Sequence, residues 1–156
     1  MCIVINILYI VVENYSFLEY YIIVEGIILN KQKLLDCLNE FFSEYSFHSG
    51  VINDLLSILK NSGEELKFLR SLIICMTKYK QLGRRQAELL REFEPLKNYG
   101  EFYSMHVNTK TFNIRIIYSY IDDEMVFLHA FYERDDSKRT GYEVAIKIAK
   151  SRMEEI

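Results

Sequence analysis

Three runs of alternating residues, separated by connections too short for anything but turns, dominate the last third of this chain. They are EFYSMHVN (101–108), FNIRIIYSYI (112–121) and EMVFLHAFYE (124–133), joined by Thr109-Lys110-Thr111 and by Asp122-Asp123. Side chains alternate between faces along a strand, and connections of two or three residues can join only antiparallel neighbours. The segment therefore predicts an antiparallel β-meander. In its middle run Phe112, Ile114, Ile116, Tyr118 and Tyr120 share one face, and Asn113, Arg115, Ile117 and Ser119 share the other. Both faces are partly apolar, which predicts a central strand covered by helices on one side.

Upstream, the period becomes helical. Leu34, Leu35, Leu38, Phe41, Phe42 and Tyr45 predict a helix over 31–45, with Asn30 as its N-cap and His48-Ser49-Gly50 as its break. A second helix is predicted over 51–61 and a third over 64–82, the latter closed by Gly83. Residues 84–99 read as an amphipathic segment, basic at its start, whose helix Pro95 ends. The polar stretch 135–141 reads as a loop before a closing helix from Tyr142 to Glu155. The Ile- and Val-rich stretches 2–12 and 20–29 read as two buried strands. With no repeat or linker, the chain predicts one α+β domain over 1–156, with N-terminal helices packed on an antiparallel meander sheet and a closing C-terminal helix. The first 45 or so residues form an extended N-terminal region of that domain.

At 156 residues and 50% apolar composition, the chain can bury a sizeable core and is not a disordered one. Nineteen basic against twenty-two acidic residues leave a net charge of −3, so the molecule as a whole does not attract nucleic acid. The halves differ, however. Residues 1–77 carry five basic and nine acidic residues and residues 78–156 carry fourteen and thirteen, which assigns any anion-binding surface to the second half. Cys2, Cys37 and Cys75 lie in separate apolar runs, a pattern of reduced buried thiols and of a cytoplasmic protein, with no metal knuckle among them. Glu13, Glu19 and Glu25 interrupt the apolar N-terminus, so neither a targeting segment nor a membrane span is expected.

Arg115 is the residue that most invites a chemical reading, because it stands mid-strand among Ile114, Ile116 and Ile117. An arginine there must snorkel, pair with a carboxylate such as Glu101 or Glu133, or face a groove that binds an anion. Arg134 follows the third run, and Lys138 and Arg139 follow on the loop, with Tyr103, Tyr132 and Tyr142 flanking them. Cations beside aromatic rings suit RNA, whose backbone is anionic and whose bases stack. His106, on a polar face with Ser104, can move a proton near neutral pH, whereas His129, among Leu128, Ala130 and Phe131, reads as a hydrogen-bonded core residue. No GxGxxG, GxxxxGK[ST] or HExxH pattern is present in the sequence, and no cofactor or metal is expected.

The order of helical hairpin, basic connection, meander and closing helix resembles the RelE/HigB/ParE superfamily of type II toxins. The segment FNIRIIYSYIDDEMVFLHAFYERDDSKRT (112–140) carries the resemblance, with NIRIIY and MVFLHAF similar to two of the family's strands and ERDDSKRT to its basic loop. The resemblance implies a RelE-like fold. In the RelE and HigB branches it implies ribosome-dependent cleavage of mRNA, in which the substrate's own 2′-OH attacks the adjacent phosphate without a metal. It further implies that Arg115 contacts the scissile phosphate and Arg134 closes the third strand beside it. Tyr142 would orient the nucleotide and His106 would stand where the family places an arginine, so Arg115, Arg134, His106 and Tyr142 form the candidate catalytic set. Lys138, Arg139, Tyr132 and Lys110 form the candidate RNA-binding set. Two features depart from the family pattern: Ser104-Met105-His106 replaces an arginine-bearing strand, and Glu133 stands where a base is usual.

The resemblance thus implies a cytoplasmic toxin with a cognate antitoxin and ribosome-bound mRNA as partners, compatible with a homodimer inside a toxin–antitoxin complex. Two alternatives accompany it: a ParE-like toxin that inhibits gyrase without cutting RNA, and an interaction module of the same fold whose site has decayed.

Overall fold

The computed structural model describes residues 31–60, 62–108, 110–133 and 138–156. The strands expected at 2–12 and 20–29, and Asn30 as a cap, lie outside the described residues. In chain order the elements are α1 (Lys31–Phe42), β1 (Ser46–Phe47), α2 (Ser49–Leu59), α3 (Glu65–Leu82), α4 (Arg84–Ala87), β2 (Phe93–Pro95), β3 (Tyr103–Asn108), β4 (Asn113–Ile121), β5 (Glu124–Tyr132) and α5 (Lys138–Met153).

The meander forms as the alternation predicts. Strands β3, β4 and β5 pair antiparallel, and the β4–β5 turn consists of Asp122 and Asp123 with φ of 51° and 65°. A two-residue hairpin of this hand needs left-handed backbone at both positions, and aspartate is among the few non-glycine residues that adopt it readily. A β-bulge lies where Ile117 pairs with His129 but Tyr118 pairs with Phe127, so Leu128 is the extra residue. The bulge turns Leu128 and His129 toward the same face of the sheet.

The sheet is nevertheless mixed rather than purely antiparallel, with the order β1-β5-β4-β3-β2. β1 lies parallel to β5, pairing Ser46 with Val126 and Phe47 with Phe127, and the Phe47 and Phe127 rings stack at 4.6 Å. Two residues have no periodicity to read, and the parallel pairing follows from burying Phe47 on Phe127. On the other edge, helix after Gly83 lasts only four residues, and Phe93–Pro95 pairs antiparallel with Tyr103–Met105. Phe93 is fully buried with Tyr79 5.5 Å away, and that burial draws the segment into the sheet. Pro95, lacking an N–H, is tolerated because β2 is an edge strand. The closing helix also starts earlier than its apolar residues suggest, at Lys138 instead of Tyr142.

Helices cover both faces of the sheet, not one. On the first face, α1, α2 and α3 bury Phe42, Leu55, Phe68 and Leu72 against Ile114, Ile116, Tyr118 and Phe127. On the second, α5 lays Ala145, Ile146 and Ala149 on Ile117, Val126 and Leu128. Two alanines four residues apart let the helix approach the strands closely. The apolar pattern on both sides of β4 reflects this double cover. Cys75 is a free buried thiol on α3, pushed up to about 12 by burial.

Helix α2 is fixed at its start and along its length. His48 caps it, its Nδ1 accepting from the Gly50 N–H at 3.1 Å. Asp54, one turn further, reaches past the short β1 to the outer edge of β5. Its Oδ2 accepts from His129 Nδ1 (2.7 Å), from the Ala130 N–H (3.1 Å) and from Arg152 Nη1 (2.5 Å), while Arg152 Nη2 donates to Oδ1 at 3.1 Å. Arg152 Nη1 also donates to the Leu128 carbonyl at 2.8 Å. Gly50 makes room for this guanidinium, since a Cβ built on it would stand 2.6 Å from Arg152 Nε and 2.7 Å from Nη2. Gly50→Ala is therefore expected to destabilise the protein by about 1–2 kcal/mol in urea unfolding, by displacing Arg152 from the half-buried Asp54 carboxylate and the Leu128 carbonyl. Gly141→Ala is expected to stabilise by about 0.5–1 kcal/mol, because a helical Cβ there meets Phe131 at an ordinary 3.5 Å.

Candidate functional site

The residues of chemical interest gather on the α5 face of the sheet. Register pairs His106 on β3 with Arg115 on β4, and Arg115 with Phe131 on β5, so the three form one row across the sheet. Tyr142 on α5 joins the same face, its hydroxyl 3.0 Å from Ser104 Oγ and its ring packed edge-to-face on Phe131 at 5.3 Å. Three of the four candidate catalytic residues thus come together from three elements. The fourth, Arg134, lies outside the described residues.

Arg115 is 8% exposed and Glu133 6% exposed, and the two are paired. Glu133 Oε2 accepts from Arg115 Nε at 2.9 Å, from Arg115 Nη2 in a short contact, and from Asn113 Nδ2 at 3.0 Å. Glu133 also extends the β4–β5 ladder by donating its N–H to the Asn113 carbonyl at 2.9 Å. Pairing with a carboxylate was one of the three options open to a mid-strand arginine, and Glu133 was one of the two candidates. Removing one partner of such a pair typically costs about 3–5 kcal/mol, because the other charge stays buried. Arg115 Nη1, His106 Nε2 and Asn113 Oδ1 are all buried without a hydrogen-bond partner within the protein.

Burial, reinforced by the Arg115 guanidinium, lowers the His106 pKa to about 4, against a weaker opposing pull from Glu133 and Glu92. A Glu94 oxygen lies 3.1 Å from His106 Nε2, but off the direction of a hydrogen bond. The imidazole is therefore neutral at neutral pH. Burial likewise raises the Tyr142 hydroxyl above its usual range, against the hydrogen bond it shares with Ser104, so it stays protonated.

The candidate RNA-binding residues divide. Lys138 and Arg139 occupy the first turn of α5, one turn before Tyr142. Tyr132, 46% exposed, pairs with Ile114 and so belongs to the opposite face of the sheet from Arg115. Lys110 lies in the exposed β3–β4 turn.

Several participants were hidden from sequence. Glu94 reaches His106 only because residues 93–95 form β2. Asp54, the partner of His129, lies seventy-five residues before it in the chain. His129 is indeed a buried, hydrogen-bonded residue. For Asp54, burial opposes ionisation but is outweighed by His129, Arg152 and the Ala130 N–H, which hold the carboxyl well below the usual range. A further cluster surrounds Arg84, whose Cζ stands 3.6 Å over the Tyr120 ring while Nη2 donates to the Tyr103 hydroxyl and Nε to Glu88. A cleft of about 370 Å³ is lined by Arg84 together with Glu101, Asp122 and Asp123, so carboxylates outnumber the cation there. The cluster's traces in the sequence were the basic start of 84–99 and the alternation that puts Tyr118 and Tyr120 on one face.

No protein-family model, curated protein or solved structure matches this chain. No helix among the described residues is long and apolar enough to cross a membrane, and no group of described side chains is arranged to hold a metal ion.

The site makes a direct prediction for His106. Followed by NMR, its ring is expected to titrate near pH 4, and Arg115→Gln is expected to move that midpoint upward by removing the neighbouring cation. The unfolded chain takes up the same proton near pH 6.5. His106 therefore makes stability fall as the pH drops from about 6.5 to about 4, a trend that urea midpoints across that range should show and that His106→Gln should flatten.

Proposed function

We propose that this chain is a RelE-like toxin of a type II toxin–antitoxin system that cleaves mRNA on the ribosome. The observation that carries the reading is the direct cross-strand pairing of His106 with Arg115, with the Tyr142 hydroxyl held to the same face through Ser104. An arginine, a neutral imidazole and a phenol converging on one face suit cleavage of a phosphodiester by its own 2′-hydroxyl. The 2′-oxygen attacks the adjacent phosphorus and the bond to the 5′-oxygen breaks, leaving a 2′,3′-cyclic phosphate and a 5′-hydroxyl. The His106 imidazole accepts the 2′-hydroxyl proton, and the departing 5′-oxygen is protonated by water. Arg115 stabilises the charge that grows on the phosphoryl oxygens, and Tyr142 orients the nucleotide. An imidazole of such low basicity is a slow base, so most of the acceleration falls to in-line positioning and to Arg115.

Arg134, Lys138 and Arg139 enter this reading through their places in the sequence, as contacts to flanking phosphates. The partners are a cognate antitoxin and ribosome-bound mRNA, and the place of action is the cytoplasm. A second reading is favoured by Glu133, which holds Arg115 where a substrate phosphate would bind: a ParE-like toxin that inhibits gyrase without cutting RNA.

Inducible expression in a bacterium, with mRNA 5′ ends mapped, separates these readings. New ends within translated codons that disappear in Arg115→Ala are expected, together with growth arrest that the variant relieves. Arrest with DNA damage and no new ends would support the gyrase reading, and normal growth on folded protein would overturn both. The base should also impose an acid limb near pH 4, so cleavage rates are expected to show no inflection at pH 6–7.

A further inference from the structure

The sequence contains three histidines, and the fold sets a different carboxylate against the ring of each. His48 Nδ1 accepts from the Gly50 N–H, which leaves the proton of the neutral ring on Nε2, where Glu155 Oε2 stands 3.1 Å away. His129 is held the other way round, with Asp54 Oδ2 at 2.7 Å from Nδ1. A neutral imidazole carries one proton, so the group that faces one nitrogen decides whether the other is left as the acceptor.

For His106 the deciding group comes from the edge of the sheet. Its backbone N–H donates to the Glu92 carbonyl at 2.8 Å, which lays the start of β2 alongside it. Phe93 turns into the core, so alternation turns Glu94, opposite Ser104, to the face that carries His106. Glu94 Oε2 thereby comes to 3.1 Å from His106 Nε2, whereas the Glu92 carboxylate is drawn off by Lys78 at 2.7 Å. The Glu94 contact is off the direction of a hydrogen bond, yet its length still places the proton. A nitrogen lone pair and a carboxylate oxygen repel each other at that distance, and an N–H is attracted. Nε2 is also buried, and the exposed 16% of the side chain lies elsewhere on it, so Nε2 is badly placed to meet a substrate hydroxyl.

We propose that Glu94 is a positioning residue: it holds the His106 proton on Nε2 and so makes Nδ1 the atom that accepts the 2′-hydroxyl proton. This rests on the proposed phosphodiester cleavage and adds which nitrogen is the base and what fixes it. As the proton passes from the 2′-oxygen to Nδ1, the ring becomes an imidazolium between Arg115 on β4 and Glu94 on β2. The carboxylate then offsets part of the repulsion from the guanidinium, which favours transfer to a weak base. Water takes the proton from Nδ1 once the bond to the 5′-oxygen has broken.

The test reads the histidine tautomers of the full chain from their ring-nitrogen NMR shifts at about pH 8, above the ordinary histidine range. The parent is expected to carry the His106 proton on Nε2 and the His129 proton on Nδ1, so each ring is a reference for the other. Glu94→Lys, at an exposed position on an edge strand, presents a donor to Nε2 and is expected to move the His106 proton to Nδ1 while His129 stays as it was. Glu94→Gln can still turn its carbonyl oxygen to Nε2 and is expected to keep the parent tautomer. A parent ring with its proton on Nδ1, or a Glu94→Lys ring identical to the parent's, overturns the proposal. In ribosome-dependent cleavage, Glu94→Lys is expected to lose about a hundredfold in rate, the lower end of what a positioned base contributes, and Glu94→Gln to lose less. A moved proton with cleavage at the parental rate removes Nδ1 as the base and overturns the proposal too. A proton that moves in a chain that never cuts mRNA keeps Glu94's hold on the ring and removes the nuclease reading.

Discussion

The architecture depends on what happens at the outer edge of β5. β1 covers that edge for only two residues, and beyond it the Ala130 N–H and the Leu128 carbonyl have no strand to pair with among the described residues. Asp54 from α2 and Arg152 from α5 supply those missing partners with side chains. One carboxylate thereby ties a helix from each layer to the strand between them. Unpaired backbone groups in the interior cost too much to leave, and here their satisfaction also locks the two helical layers in register with the sheet.

Two arginine–carboxylate pairs, one buried and one half-buried, differ in what surrounds them. In the Asp54–Arg152 pair both carboxylate oxygens are engaged and the arginine spends a further hydrogen bond on backbone, so the pair is woven into the ladder. In the Arg115–Glu133 pair both guanidinium contacts go to Glu133 Oε2, which also takes the Asn113 amide, and the pair makes its hydrogen bonds to side chains, not to strand backbone. The first arrangement suits permanent structure. The second stands in the row where sequence reading put the chemistry.

Legibility followed the length scale of the signal. Strands of six to nine residues declared themselves by alternation, and α3 by its period and its closing Gly83. The face that Arg115 shares with Asn113, Ile117 and Ser119 followed from period two alone. Short elements did not declare themselves: β1 and β2 span two and three residues, and each carries a phenylalanine packed on an aromatic neighbour, Phe47 on Phe127 and Phe93 on Tyr79. Residues 84–99 look amphipathic, yet burial of Phe93 outweighs helical propensity, and Leu89 is left in solvent as a result. At the site, the sequence could name Glu133 as a partner for Arg115 because hairpin register brings the end of β5 to the start of β4. It could not pair Asp54 with His129, since that contact depends on how a helix packs against a distant strand.

The placement of β1 also sets an order of assembly. The meander can zip from its tight turns, each contact closing a short loop, whereas β1 must meet a strand eighty residues further along the chain. Until α2 docks and brings Asp54 with it, the outer edge of β5 presents open hydrogen-bonding groups beside Phe127 and Leu128. That interval is when a second chain can add a strand of its own. Closing the edge thus falls to the pairing of longest sequence separation in the sheet, the kind of contact that forms slowly.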